Sequence, residues 1–489
     1  MRLLFASSEL SPLCQSGGLG EAVSGLARAL GARGHQVTCL VPGYRPALQH
    51  EALPRLRRFS DIRIPSAGRN IQGVLTEGPL FPGVDVMFLQ VPALYDRNGL
   101  YGDETGGFGD NALRFTTFSR AAAYLAEMMQ PDIFVAHDWH AASAIANLRV
   151  NLGRGQNRKI GTVLVVHNNA YQGDFSAADF RHTALPTELF HPDAGEAYGK
   201  LNLLKLGLNY ADRVVPVSPS YAKEVQSVAF GEGLEGVYGA IEQRVCGIAN
   251  GIDVEHYNPR ADPHLPFHFS AAEPAGKARC REALLQELGL QTPAAGLLLG
   301  AIGRFAPQKG WDVLERSLQH MLNQGASVVL LGDGDPNIAR SLAHLARRWP
   351  KQLSLHIGFV DGLARRIYAG SDGLLVPSRF EPCGLVQMIA QRYGAIPIAH
   401  AVGGLRDTIA CVRNQGLMDW NQSTGILFSP LAPESIENAV AELADLGRTG
   451  QLPEIQKKVM GLDVSWNVAA EKYEGIFTQA HQDACGRAN

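Results

Sequence analysis

The chain has 489 residues, 46% of them hydrophobic and 19% charged, which supplies apolar material for two or three cores and excludes a disordered chain. Its 44 basic and 47 acidic residues leave a formal charge of −3, a balance that argues against a general nucleic-acid binder. The seven cysteines, at 14, 39, 246, 280, 383, 411 and 485, include no CxxC pair. That pattern fits reduced cytosolic thiols better than a disulfide framework or a zinc ribbon. No apolar run approaches the ~20 residues of a membrane helix. The run at residues 3–6 is too short for a signal peptide, so a cytoplasmic protein without membrane association is expected.

In chain order, residues 3–7 read as a strand, followed by a glycine loop and a helix at about 19–32. Further strands are predicted at 37–41, 86–90, 133–136, 163–167 and 213–217, with helices at 111–129 and 142–151 among them. Residues 258–275 are rich in Pro, His and Ala and carry no period, which marks a connector. Alternation resumes with strands at 297–302, 327–331, 353–358, 373–376 and 396–400, each followed by a helix-like stretch. The longest apolar run, 294–303, reads as a buried strand. Residues 464–479 read as an amphipathic helix able to cap either half.

This alternation predicts an α/β chain of two doubly wound, Rossmann-like parallel-sheet domains facing across a cleft. The expected boundaries are 1–257 for the first domain, 258–463 for the second, and 464–489 for a terminal helix returning to the first domain. Ligands of open parallel sheets bind at the carboxyl ends of the strands, and that is where the notable residues fall.

Gln15-Ser16-Gly17-Gly18-Leu19-Gly20 lies between the first strand and helix. It is either a plain glycine turn or a backbone cradle at a helix N-terminus; it is not the GxGxxG of a dinucleotide site. His137-Asp138-Trp139-His140 follows a strand; its density of ligand-type residues suggests a metal, but no further residue stands at zinc-like spacing. A polar loop is the expected reading, with Trp139 as a surface on which a sugar ring stacks. His167-Asn168-Asn169-Ala170-Tyr171-Gln172-Gly173 ends another strand. There His167 is either a substrate contact or a satisfied structural histidine.

Arg304 and Lys309 lie in the loop after the first strand of the second half, and two fixed cations suit a diphosphate. In Ser378-Arg379-Phe380-Glu381-Pro382-Cys383-Gly384-Leu385, Pro382 suits a first helical position. The N–H groups of Cys383, Gly384 and Leu385 would then face whatever Glu381 holds. Val402-Gly403-Gly404-Leu405 is another glycine loop entering a helix and offers backbone donors to phosphate. Asp333-Gly334-Asp335 is a literal DxD but reads as a turn after a strand, without metal.

Together these motifs resemble the bacterial glycogen synthase and plant starch synthase family, retaining glucosyltransferases of GT-B architecture. The resemblance runs from Ser8-Glu9 to Tyr473 and includes Leu94-Tyr95-Asp96-Arg97, Asn250-Gly251-Ile252-Asp253 and Asp463-Val464-Ser465-Trp466. It implies ADP-glucose as donor, a growing α-1,4-glucan such as glycogen as acceptor, and neither metal nor cofactor. It also implies catalytic roles for His167, Arg304, Lys309 and Glu381. Substrate contacts are implied for Gln15, Gly17, Gly18, Tyr95, Asp138, Asn250, Cys383, Gly384, Leu385, Gly403 and Gly404. The sequence departs from the family pattern at Gln15, where a Lys is expected, at Glu21 for Asp, and at Val402 for Thr. Gln15 removes a positive charge from the donor loop and leaves open another nucleotide-glucose donor, or a low-activity glucan-binding paralogue.

Overall fold

A computed structural model describes residues 1–104, 106–151, 159–291, 293, 296–358 and 360–488. The start of the predicted strand at 294–303 lies outside the described residues. The chain divides into two compact units, residues 1–250 with 466–489, and residues 251–465.

In the first unit, short runs of Val, Leu, Ile and Phe form strands whose side chains are buried on both faces. This is the pattern a covered parallel sheet requires. The eight-stranded sheet runs in the order Arg213–Pro216, Gly161–Val166, Ile133–His137, Arg2–Ala6, Gln36–Pro42, Val84–Gln90, Arg69–Phe81, Arg57–Ser66. The first six are parallel. The last two form an antiparallel hairpin on the edge. Strand order reverses where Arg2–Ala6 meets Ile133–His137, so the crevice of this sheet opens over the loops that follow those two strands.

The second unit repeats the logic with six parallel strands: Leu353–Ile357, Ser327–Gly332, Leu298–Ile302, Gly373–Val376, Ile396–His400, Ile426–Phe428. Its reversal falls between Leu298–Ile302 and Gly373–Val376. The loops leaving those strands carry Arg304 and Lys309 on one side and Glu381 on the other.

The terminal helix spans Trp466–Ala488 and packs on the first unit. Trp466 fills the space over Gly25, Glu474 pairs with Arg33 at 2.7 Å, and Asp483 pairs with Arg213 at 2.5 Å. The aperiodic segment after residue 258 is tied into the second unit through Asp262, which is 2% exposed. Its carboxylate accepts from the Tyr393 hydroxyl and from Arg365, 3.4 Å away. No helix of the described residues is long and apolar enough to cross a membrane.

Candidate active site

In the first unit, the loop after Arg2–Ala6 turns back on a buried carboxylate. Glu9 accepts the Ser16 N–H at 2.8 Å, the Ser16 hydroxyl at 2.7 Å, the Gly17 N–H at 3.3 Å and the Tyr101 hydroxyl at 2.7 Å. The Gly17 N–H, expected to face a ligand, is thus directed at Glu9. Gln15 and Gly18 remain exposed, with Gly18 opening the helix Gly18–Ala32. Sequence reasoning missed Glu9 as the organiser of this loop, because Tyr101 lies far along the chain.

Adjacent strands bring the two histidine motifs together. Ile133–His137 and Gly161–Val166 are parallel neighbours, and His137 Nδ1 lies 3.0 Å from His167 Nε2. Asp138 starts the next helix with φ of 55°. Its carboxylate accepts the backbone N–H of His167 at 2.7 Å and of Asn168 at 3.4 Å. Asp138 therefore acts on the His167 loop rather than presenting both oxygens outward. Burial pushes the Asp138 carboxyl up to about 7 and the His167 ring down to about 3. His137 and His140 are held well below the usual histidine range by the same loss of solvation.

One expectation is corrected here. Tyr95 is fully buried and donates its hydroxyl to the Arg114 carbonyl at 2.7 Å, so it packs a core. Trp139 stacks on His140 at 3.9 Å and meets Phe115 at 4.9 Å and Phe175 at 5.7 Å. Its ring is half-buried and one member of an aromatic cluster. Asn250 is half-buried at the end of this unit.

In the second unit, the loops after two neighbouring strands are stitched into one body. Gln308 donates to the Phe380 carbonyl at 3.0 Å, and the Arg379 N–H donates to the Gln308 carbonyl at 2.8 Å. Arg379 forks onto Asp312 at 2.8 and 2.7 Å. Gly310 makes the close approach possible: φ is 69°, and a Cβ there would lie 1.9 Å from the Pro377 oxygen. On this frame Lys309 Nζ donates to Glu381 Oε2 at 2.6 Å, and the Ser378 hydroxyl donates to the same oxygen at 2.9 Å. Glu381 is 6% exposed. Arg304 is exposed, and its guanidinium has no partner among the described residues.

The expected helix start at Pro382 is not observed; the helix spans Val386–Arg392. Gln387 folds back to donate to the carbonyls of Cys383 and Gly384, each at 3.0 Å, and the chain turns at Gly384 with φ of 77°. Cys383 is buried and Leu385 half-buried. The glycine pair at 403–404 also differs from expectation. The Gly404 N–H donates to the Glu381 carbonyl at 3.0 Å, and a Cβ on Gly404 would stand 2.3 Å from Cys383 Cα. Gly404 packs the Glu381 loop, and Gly403, with φ of 43°, opens the following short helix. Asp333-Gly334-Asp335 is a turn pairing with Phe305, and Asp335 caps the helix Pro336–Arg348.

Two Rossmann-like units, each carrying polar loops at its own strand-order reversal, define a GT-B glycosyltransferase. The fold alone is shared with sucrose-phosphate synthase from Thermosynechococcus elongatus, at TM-score 0.61 and 17% identity over 98% of both chains. The catalytic domain of starch synthase IV from Arabidopsis thaliana, solved bound to ADP and acarbose, superposes at TM-score 0.88. It is 30% identical, over 98% of this chain and 99% of that one. Residues 2–240 match the starch synthase catalytic domain and residues 296–445 match glycosyl transferases group 1. The glycogen synthase of Marinobacter nauticus is 39% identical over 97% of each chain, and glycogen synthase 2 of Rhizobium meliloti is 36% identical over 98% of each. The chain belongs to the glycogen synthase and starch synthase family of retaining glycosyltransferases.

Proposed function

We propose that the chain transfers glucose from ADP-glucose to the non-reducing end of an α-1,4-glucan, with retention of configuration. The observation that carries this reading is the Lys309–Glu381–Ser378 network at the strand-order reversal of the second unit, with Arg304 exposed on the same loop. Loss of the nucleoside diphosphate develops negative charge as the sugar becomes oxocarbenium-like. Fixed cations aimed at that charge lower the barrier most. Arg304 and Lys309 supply them. Glu381 holds the Lys309 ammonium and offers its carboxylate to sugar hydroxyls. His167, from the first unit, binds the transferred sugar. The incoming glucan hydroxyl attacks from the face the diphosphate leaves, without a covalent intermediate. Gln15, Gly18 and Asn250 are assigned to substrate contacts from the first unit, and Gly17, whose N–H is held by Glu9, shapes their loop. Cys383, Gly384, Leu385, Gly403 and Gly404 shape the donor pocket of the second, and Asp138 acts through the His167 loop. The domain limits proposed from sequence, 1–257, 258–463 and 464–489, divide these roles. All seven cysteines are free thiols, which supports a cytoplasmic setting.

A second reading rests on Gln15, whose neutral, exposed side chain stands where the family pattern expects Lys. It gives a related enzyme with another nucleotide-glucose donor, or a glucan binder of low turnover. Initial rates of glucosyl incorporation into glycogen from ADP-, UDP- and GDP-glucose decide between them. Preference for ADP-glucose supports the first reading. Preference for another nucleotide, or glucan binding without incorporation, establishes the second.

A further inference from the structure

His137 closes its strand fully buried, while His167, the first residue after the neighbouring parallel strand Gly161–Val166, is half-buried. Their register pairs His137 with Val165 and brings the ring centroids to 5.3 Å. The contact between His137 Nδ1 and His167 Nε2, at 3.0 Å, needs one proton, and either ring is able to provide it. The opposite edge of His137 decides which. Its Nε2 is buried with no hydrogen-bond partner among the described residues, and the Phe5 ring packs 5.1 Å away. A buried N–H without an acceptor is costlier and rarer than an unused lone pair. The proton therefore sits on His137 Nδ1 and is donated to His167 Nε2. Both rings are kept neutral by burial, so the proton of His167 itself must be on its Nδ1. Asp138 fixes the backbone beneath the ring by accepting the His167 N–H.

We propose that His137 is a positioning residue that locks His167 in its Nδ1–H tautomer, so that His167 meets a hydroxyl oxygen of the transferred sugar as a hydrogen-bond donor. This rests on the reading that His167 contacts that sugar. It assigns the histidine a donor role and rules it out as a proton acceptor through Nε2.

The test uses the full chain labelled with 15N-histidine and long-range 1H–15N correlation, with the His167 signals assigned by their loss in His167→Asn. Wild type is expected to show His167 protonated at Nδ1. His137→Phe removes the donor; it is expected to shift His167 toward the Nε2–H form and to lower kcat about tenfold, the effect of one lost hydrogen bond at a buried site, with KM for the donor little changed. His137→Asn, whose amide nitrogen stands near the position of Nδ1, is expected to restore both tautomer and kcat. His167→Asn is expected to retain more activity than His167→Gln for the same reason. Protonation of wild-type His167 at Nε2, or His137→Asn behaving like His137→Phe, overturns the proposal. The wild-type spectrum decides the tautomer even if His137→Phe does not fold. Full transfer by both His167 variants overturns the sugar contact itself, whatever the spectrum shows.

Discussion

The two units place their chemistry at the same topological point and use opposite electrostatics there. In the first, burial keeps His137, His140 and His167 neutral and raises the Asp138 carboxyl to about 7. In the second, Lys309 and Glu381 meet in a salt bridge at 2.6 Å, Ser378 shares the carboxylate oxygen, and two stitched loops hold the geometry. A group that only orients a sugar hydroxyl works best neutral and fixed. A group that meets a leaving diphosphate gains most from a fixed positive charge. Under the proposed function, the same fold would serve both needs by varying what surrounds the strand ends.

The sharpest way to break this contrast is to remove charge from the second unit. Lys309→Ala and Glu381→Gln are each expected to lower the transfer rate ~10²–10³-fold, the range for one preorganised charge-stabilising group. Lys309→Ala is also expected to lower the melting point, because it leaves the buried Glu381 carboxylate without its cation, so rates are compared at a temperature where both variants are folded. Full activity in either variant removes the second unit's assigned role. Gly310→Ala tests the frame beneath that pair. With φ of 69° and a Cβ 1.9 Å from the Pro377 oxygen, it is expected to cost about 1–3 kcal/mol of stability, read by denaturant titration.

Acid sharpens the other half of the comparison. His137, His140 and His167 have folded values below 6.5, so the unfolded chain binds more protons beneath that pH. The stability they support is present above 6.5 and lost as pH falls toward 3. Asp138 runs the other way: its raised value favours the folded state most at low pH, and that contribution fades as pH rises from 3.8 through about 7. Three histidines outweigh one carboxyl, so thermal scans between about pH 7.5 and about pH 5 should show the melting point falling on acidification. A flat profile contradicts the neutral network. The smallest effect is expected from Gln15→Lys. It returns one exposed charge to the donor loop and should lower KM for ADP-glucose roughly two- to fivefold, the size of an exposed charge contact.

Much of this was legible in the sequence, because covered parallel strands are continuous apolar runs and the loops after them carry the unusual residues. The predicted strand at 327–331 and helix at 111–129 match Ser327–Gly332 and Asn111–Met129. The edge hairpin Arg57–Ser66 and Arg69–Phe81 was missed, since only alternate residues such as Ile62 and Ile64 are buried there. The strand Ile426–Phe428 is too short to show a pattern. Contacts between neighbouring strands were invisible without strand order. The His137–His167 contact depends on strands whose adjacency no local pattern reveals, and the Glu9–Tyr101 bond spans two distant loops. Pro382 suggested a helix start, but the chain turns at Gly384 with φ of 77°, and Gln387 engages the carbonyls of Cys383 and Gly384.

Equilibrium binding of ADP to wild type, Arg304→Ala and Lys309→Ala, measured by calorimetry, tests the role given to the second unit's cations most directly. Each variant is expected to bind ADP at least about tenfold more weakly, as loss of a charge-assisted contact to phosphate requires. ADP held by both variants as tightly as by wild type would contradict the account.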